Sequence, residues 1–155
     1  MKNTPTNLED HLGYWLRCLS NYVHNTFAEH LAEYDVSVAQ WVVLRTLYDR
    51  QDTSLNEAAS LVGVDNSSLS RMVDRLIHKD LIDRTEGVDR RSVQLSLTSK
   101  GKKMVPKLAR LADENDSYFF RTLSLKEQEN LLNTIKELLK SNNWNQSKRG
   151  KDRIT

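Results

Sequence analysis

Between Asn66 and Lys79 the apolar residues fall at Leu69, Met72, Val73, Leu76 and Ile77, and within the next twenty residues the spacing changes to strict alternation at Val93, Leu95 and Leu97. The first spacing marks one stripe of an α-helix, the second one face of a β-strand. At 100° per residue, Ser67, Arg71, Asp74 and His78 lie opposite the helical stripe, flanked by Ser68 and Arg75. The helix therefore has one face to bury and another that is small at its start and basic along its edges. Leu81–Thr85 and Ser92–Leu97 read as two short strands, and the joining segment from Glu86 to Arg91, with Gly87, predicts an antiparallel hairpin with a charged tip in solvent.

Helical periodicity surrounds this unit. Leu8, Leu12, Trp15, Leu16, Leu19, Tyr22, Val23 and Phe27 predict a long helix from Leu8 to about Ala32. Ser37-Val38-Ala39-Gln40 and Ser54-Leu55-Asn56-Glu57 have the spacing of capping boxes, and Gly63 suits the left-handed end of the short helix that follows Ser54. Asp65 can cap the helix at Asn66, and Thr98 one that runs to about Phe120, with Pro106 expected to bend it. Ser124-Leu125-Lys126-Glu127 opens a last helix whose stripe is Leu131, Leu132, Ile135, Leu138 and Leu139. From Asn142 to Thr155 the chain is polar and expected to be flexible.

The 155 residues suffice for one domain with a core of its own, so disulfides are not needed. Cys18 is the only cysteine, which excludes an internal bridge and a cysteine-rich zinc site and suits a reducing, cytoplasmic setting. No stretch approaches the roughly 18 apolar residues of a membrane span. The net charge of +2 is too small to announce a nucleic-acid partner, but its distribution is uneven. Residues 65–103 hold nine Lys/Arg against six Asp/Glu, residues 145–155 hold four against one, and the remainder is net acidic.

The predicted order of helix, short helix, turn, amphipathic helix and basic hairpin is that of a winged helix-turn-helix, in which the second helix of the turn motif enters the major groove. Asn66, Ser67, Ser68 and Ser70 would allow close approach of the backbone, with Arg71 and Arg75 reaching guanine or phosphate. The plainer alternative is that serines tolerate a helix start and the arginines are solvated. Arg90 and Arg91 at the hairpin tip suit the narrow minor groove, against the alternative of an ordinary turn in which Asp89 pairs locally with one of them.

Asp89-Arg90-Arg91-Ser92-Val93-Gln94-Leu95-Ser96-Leu97-Thr98-Ser99-Lys100-Gly101 resembles the wing signature D-x-R-x-x-x-x-x-L-T-x-x-G of the MarR family, and Ser70–Leu76 with Lys79–Ile82 is similar to that family's recognition helix and its exit. Asp80 stands where a glycine is typical, a mild departure because Asp tolerates left-handed backbone. The resemblance covers roughly residues 8–141. It implies a mainly α fold with a small β-hairpin wing, an obligate homodimer made by the first, fifth and sixth helices, and two lobes reading a pseudo-palindromic operator in double-stranded DNA. It makes Arg91 the first candidate for minor-groove insertion, Arg90 the second, and Asp89 the residue that orients the wing. The domain reading is one unit over 1–141, with 8–32 and 99–141 as dimerisation helices and 37–98 as the DNA-binding lobe. A last helix with a strong apolar stripe independently calls for a partner surface.

Other signals are weaker. No glycine-rich phosphate loop, HExxH or GxSxG is present, so no catalytic residue, cofactor or enzymatic activity is expected. His24 and His30 are six apart, off the usual i, i+4 ligand spacing, so no metal is expected either. Trp15, Tyr22, Trp41, Asn115 and Phe119 are candidates for a site that admits a small aromatic or phenolic effector, with Phe120 nearby in sequence; core packing is the bland alternative, and an Asn inside an apolar stripe needs a hydrogen-bond partner. Cys18 lies at the edge of the first stripe beside Tyr14 and Trp15, where a packed structural thiol is expected and a redox role is the alternative. The combined reading is a transcriptional repressor released by an effector. Its rivals are redox control through Cys18 and a winged-helix protein-interaction module.

Overall fold

A computed structural model describes residues 5–50, 52–87 and 93–144. Six helices and three short strands follow in the order α1 (Leu12–Ala32), α2 (Val38–Tyr48), β1 (Thr53–Ser54), α3 (Leu55–Val62), α4 (Asn66–His78), β2 (Ile82–Glu86), β3 (Val93–Leu97), α5 (Ser99–Phe120) and α6 (Leu125–Ser141). The fold is thus mainly α, with a small antiparallel sheet in the order β1-β3-β2. No helix among the described residues is long and apolar enough to cross a membrane.

Local chemistry sets most helix starts. Two of the three expected capping boxes close in full, at Ser37/Gln40 and at Ser124/Glu127, and Asp65 and Thr98 accept the amides of Ser68 and Gly101. At Ser54 the hydroxyl accepts the Glu57 amide, the Ser half of the expected box. The first helix begins later than its periodicity suggests: Leu8–Asp10 form a separate 3-10 turn, His11 is extended, and α1 starts at Leu12. β1 is a further departure, since two residues are too short to show any alternation. It exists because Thr53 pairs with Leu95 across β3.

Three helices end alike. Asp35, Asp80 and Asn143 take positive φ of 55°, 58° and 58°, and the residue after each donates back to a carbonyl five residues earlier: Val36 to Leu31, Leu81 to Leu76 and Trp144 to Leu139. These are Schellman ends built on Asp and Asn, the residue types other than Gly that best tolerate this conformation. Gly63 closes α3 at φ 83°.

The core gathers Val43, Leu44 and Leu47 of α2, Ala58, Ala59 and Val62 of α3, and Leu69, Val73 and Leu76 of α4. Leu81, Ile82, Leu95 and Leu97 of the hairpin and Val105 and Leu108 of α5 complete it, with only Phe27 and Leu31 from α1. The apolar stripe of α1 is therefore not core along its first two-thirds: Leu12, Trp15, Leu16, Leu19 and Tyr22 are exposed. α6 buries no residue, and Leu131, Leu132, Ile135, Leu138 and Leu139 all face outward.

The hairpin joins α5 through one crowded junction. The Leu81 carbonyl accepts the Thr98 amide at 3.2 Å, and the Thr98 hydroxyl donates to the Asp80 carbonyl at 2.8 Å while accepting the Gly101 amide at 2.9 Å. A Cβ on Gly101 would lie 2.2 Å from that same Leu81 carbonyl oxygen. The Thr and Gly at the end of the signature motif thus carry architecture. Gly101→Ala is expected to destabilise the fold by about 1–3 kcal/mol through overpacking, whereas Asp80→Gly should stabilise it by up to about 1 kcal/mol by relieving left-handed strain. Urea denaturation of the two variants, shifting the midpoint in opposite directions, checks this.

Candidate nucleic-acid interface

α4 presents the two faces its periodicity requires. Leu69, Val73 and Leu76 are buried, while Ser67, Arg71, Asp74, Arg75 and His78 are exposed. Asp65 fixes the start of this surface: Oδ1 accepts the Ser68 amide at 2.8 Å and Oδ2 the Ser68 hydroxyl at 2.6 Å. Ser68 is thus engaged in the cap, and the Asn66 carboxamide donates to Asn56 Oδ1, tying the start of α4 to α3. Asn66 Oδ1 itself is buried and has no hydrogen-bond partner among the described residues. Ser67 keeps its hydroxyl on the open face, Ser70 is half-buried, and the Arg71 Nε donates to the Ser67 carbonyl at 3.3 Å.

The cations on this face differ in freedom. Arg71 and Arg75 form no ion pair among the described residues. Arg84 projects from β2, opposite Leu95, and binds Asp74 at 2.8 Å, so the acidic residue in the middle of the exposed face is matched from the hairpin. Sequence reasoning missed that pairing because nothing local links residues ten apart on a helix and a strand. It also missed Lys79, whose ammonium reaches the Asp35 carbonyl and the Asp35 carboxylate, the latter at 3.1 Å, and so holds the end of α4 to the exit of α1. The tip residues Asp89, Arg90 and Arg91 lie outside the described residues. The two strands that lead to the tip pair in continuous register from Ile82↔Leu97 to Glu86↔Val93.

The five aromatic and amide candidates for an effector site do not converge. Trp41 packs edge-on against Phe27 at 6.4 Å, on the flank of the core. Trp15 is exposed, with its indole N–H donating to the Glu9 carbonyl and its ring edge-on to Tyr14. Tyr22, Asn115 and Phe119 do meet along the α1–α5 seam: the two rings are 5.0 Å apart, and Asn115, 3% exposed, donates to the Val23 carbonyl at 3.3 Å. The Asn115 Oδ1 has no partner among the described residues. Cys18 departs from the expectation of a packed thiol. It is exposed, because the part of α1 that carries it projects beyond the core. Tyr14 lies one helical turn before it, and the neighbouring thiol raises the phenol pKa, first through side-chain hydrogen bonding and then through charge repulsion. Among the described residues no group of His, Cys, Asp and Glu is placed to hold a metal ion.

Comparison with known proteins bears on the central part of the chain most directly. Residues 36–93 match the MarR family. The chain is 25% identical over 124 residues to the HTH-type transcriptional regulator SarZ of Staphylococcus aureus (strain USA300), covering 79% of this chain and 82% of SarZ. Among solved structures it is similar to S. aureus MepR in its DNA complex, with TM-score 0.77 and 25% identity over 84% of this chain and 98% of that one. It is equally similar to a probable transcriptional regulator from Pseudomonas aeruginosa, with TM-score 0.77 and 26% identity over 85% and 99% of the two chains.

The two hydrogen bonds from Ser68 hold the Asp65 carboxyl below the usual carboxylate range. A lowered folded-state pKa means that the cap's contribution is present above the unfolded value and lost as pH falls through the folded one. The gap in urea midpoint between wild type and Asp65→Ala should accordingly narrow on acidification below the ordinary Asp pKa. A gap that stays constant with pH would contradict the assignment.

Proposed function

We propose that this chain, whose residues 36–93 match the MarR family, is a member of that family and a transcriptional regulator that binds double-stranded DNA as a homodimer. The observation that carries the reading is α4, with one face locked into the core and the other offering Ser67, Arg71 and Arg75 immediately before an antiparallel hairpin. A helix so held keeps its outer face rigid, which lowers the ordering needed when it enters a groove. Similarity to MepR, whose structure was solved with DNA, supports the same docking.

Residues 37–98 are the lobe that reads DNA, and residues 8–32 and 99–141 pair two copies. The exposed apolar faces of α1 and α6 support that division, since Trp15, Leu16 and Leu19 on one and Leu131, Leu132 and Leu138 on the other have nothing among the described residues to cover them. Two-fold pairing sets the recognition helices about one DNA turn apart and demands a pseudo-palindromic operator. Repression follows from occupying such a site. An aromatic or phenolic effector releases it by favouring a spacing of the lobes that no longer matches the groove. The Tyr22, Asn115 and Phe119 seam, with its open amide oxygen, is the place in the chain best suited to such a molecule.

Genomic duplexes captured by the purified protein supply the operator for the test. Binding should weaken steeply with salt, as release of counterions requires, which a protein-interaction module would not show. Arg71→Ala and Arg91→Ala should each weaken operator binding by about tenfold or more, within the 1–3 kcal/mol of a groove contact, and leave the dimer intact on size exclusion. Asp74→Asn, which removes the anion from the face and frees Arg84, should bind at least as tightly as wild type. Unchanged affinity in both arginine variants overturns the reading.

The exposure of Cys18 favours a second mode of control. Its thiolate can take an oxygen atom from a hydroperoxide, giving a sulfenate and releasing the alcohol or water. Tyr14 is placed to hydrogen-bond that sulfur. Cumene hydroperoxide should then lower operator binding of wild type and leave Cys18→Ser unaffected; equal responses remove the redox reading.

A further inference from the structure

Residues 37–98, the DNA-reading lobe of the proposed function, meet α1 and α5 chiefly through apolar side chains. Phe27 and Leu31 from α1 and Val105 and Leu108 from α5 share one core with Val43, Leu44 and Leu47. Burial of this kind is strong but non-directional, so it favours contact over any one angle of contact. Hydrogen bonds supply the angle, because they weaken steeply once bent. Apart from the Thr98 cap that starts α5, every side-chain hydrogen bond or ion pair between residues 37–98 and the helices on either side, among the described residues, is made at Lys79.

Lys79, the residue that caps α4, is gripped from two sides. Its ammonium donates to the Asp35 carbonyl, to the Asp35 carboxylate at 3.1 Å and to Gln40 Oε1 at 3.4 Å, which uses all three of its N–H groups. Its own carbonyl accepts from the Lys100 ammonium at 2.8 Å. The anchors are themselves fixed. Asp35 closes α1 with left-handed backbone, Gln40 is buried in the capping box with Ser37, and Lys100 stands in the first turn of α5. The Asp35 carboxylate is exposed, so its charge contributes little, and the directional hold lies in the two carbonyl bonds. We infer that Lys79, held by Asp35 and Lys100, is a positioning residue that sets the angle of the reading lobe on α1 and α5, and through it the half-site spacing that the paired protein accepts. The spacing rests on the proposed function. Two-fold symmetry applies any change of that angle to both lobes, so the separation of the recognition helices responds doubly. One base pair added between half-sites moves them about 3.4 Å and turns them by about 35°, a mismatch that a firmly held lobe does not follow.

Captured operator duplexes, remade with one base pair added or removed at the centre, report the spacing, and the ratio of their affinities is blind to a uniform loss of charge or of folded protein. Wild type is expected to prefer the native spacing by about tenfold or more. Lys79→Met, which keeps a side chain of comparable length without its donors, and Lys100→Met should each cut that preference to about a third or less of its wild-type value. Asp35→Asn, which keeps the accepting carbonyl and tolerates left-handed backbone, should retain it. The angle itself is measured without DNA, by pulsed electron paramagnetic resonance between nitroxides on Asn21→Cys of α1 and Asp83→Cys of β2, two exposed positions. Both labels are placed in a Cys18→Ser chain diluted into unlabelled protein, so that only distances within one chain are read. Adding Lys79→Met should broaden or shift that distance distribution. An unchanged distribution overturns the inference, as does a Lys79→Met protein that keeps the full spacing preference of wild type, whatever its melting temperature. A wild type that binds no duplex, or binds all three spacings equally, removes the DNA reading and the spacing with it, and the distance distribution alone then decides whether Lys79 sets the angle.

Discussion

The Leu81 carbonyl is the point at which three parts of the molecule are made to agree. The Leu81 amide closes the Schellman turn of α4 on Leu76, and its carbonyl accepts the amide of Thr98 after β3 and lies against the bare Cα of Gly101 in the first turn of α5. Removing any one relation loosens the other two. If α4 ended without a left-handed residue, Leu81 would not be returned toward Leu76 and Ile82 would not start β2 in register with Leu97. If α5 began with a side chain at position 101, the helix would stand away from the hairpin, and Leu97 and Val105 would lose their common core. The face of α4 turned toward solvent, and the direction in which the hairpin leaves the body, both follow from this contact.

That junction explains why so much of the fold is legible in the residues and why other parts are not. Ser37 with Gln40, Ser124 with Glu127, Asp65 before α4 and Thr98 before α5 act over three or four residues, where chain geometry leaves little choice of partner. Asp80 and its left-handed backbone belong to the same class. β1, the Asn56–Asn66 tie, the Asp74–Arg84 pair and the Lys79–Asp35 latch join residues brought together only by the finished fold, and no periodicity encodes them.

Periodicity also reports the face a residue occupies without reporting what covers that face. The stripe of α1 is as regular at Leu12 and Leu19 as at Phe27, yet only the last third of the helix contributes buried side chains to the core. The same limit accounts for Cys18, at the edge of that stripe and open to solvent, and for the scatter of the aromatic candidates. Trp41 has a core neighbour in Phe27, and only Tyr22, Asn115 and Phe119 share a seam. Among the α4 candidates, Ser67, Arg71 and Arg75 keep open side chains, while Asn66 and Ser68 are spent on holding the helix start in place.

The Lys79 latch has a mechanical meaning. Because Lys79 grips both the carbonyl and the carboxylate of Asp35, the rear of α4 is hinged on the exit of α1. α4 has 13 residues, hence a length of about 20 Å, and a swing of about 10° about that hinge carries its front end through about 3.5 Å. Such a displacement exceeds the length of a hydrogen bond. With Leu69 near that tip fully buried and Asn66 tied to Asn56, α4 cannot make such a swing alone: α3 and the shared core must turn with it, so that the Lys79 latch is a pivot for the whole lobe.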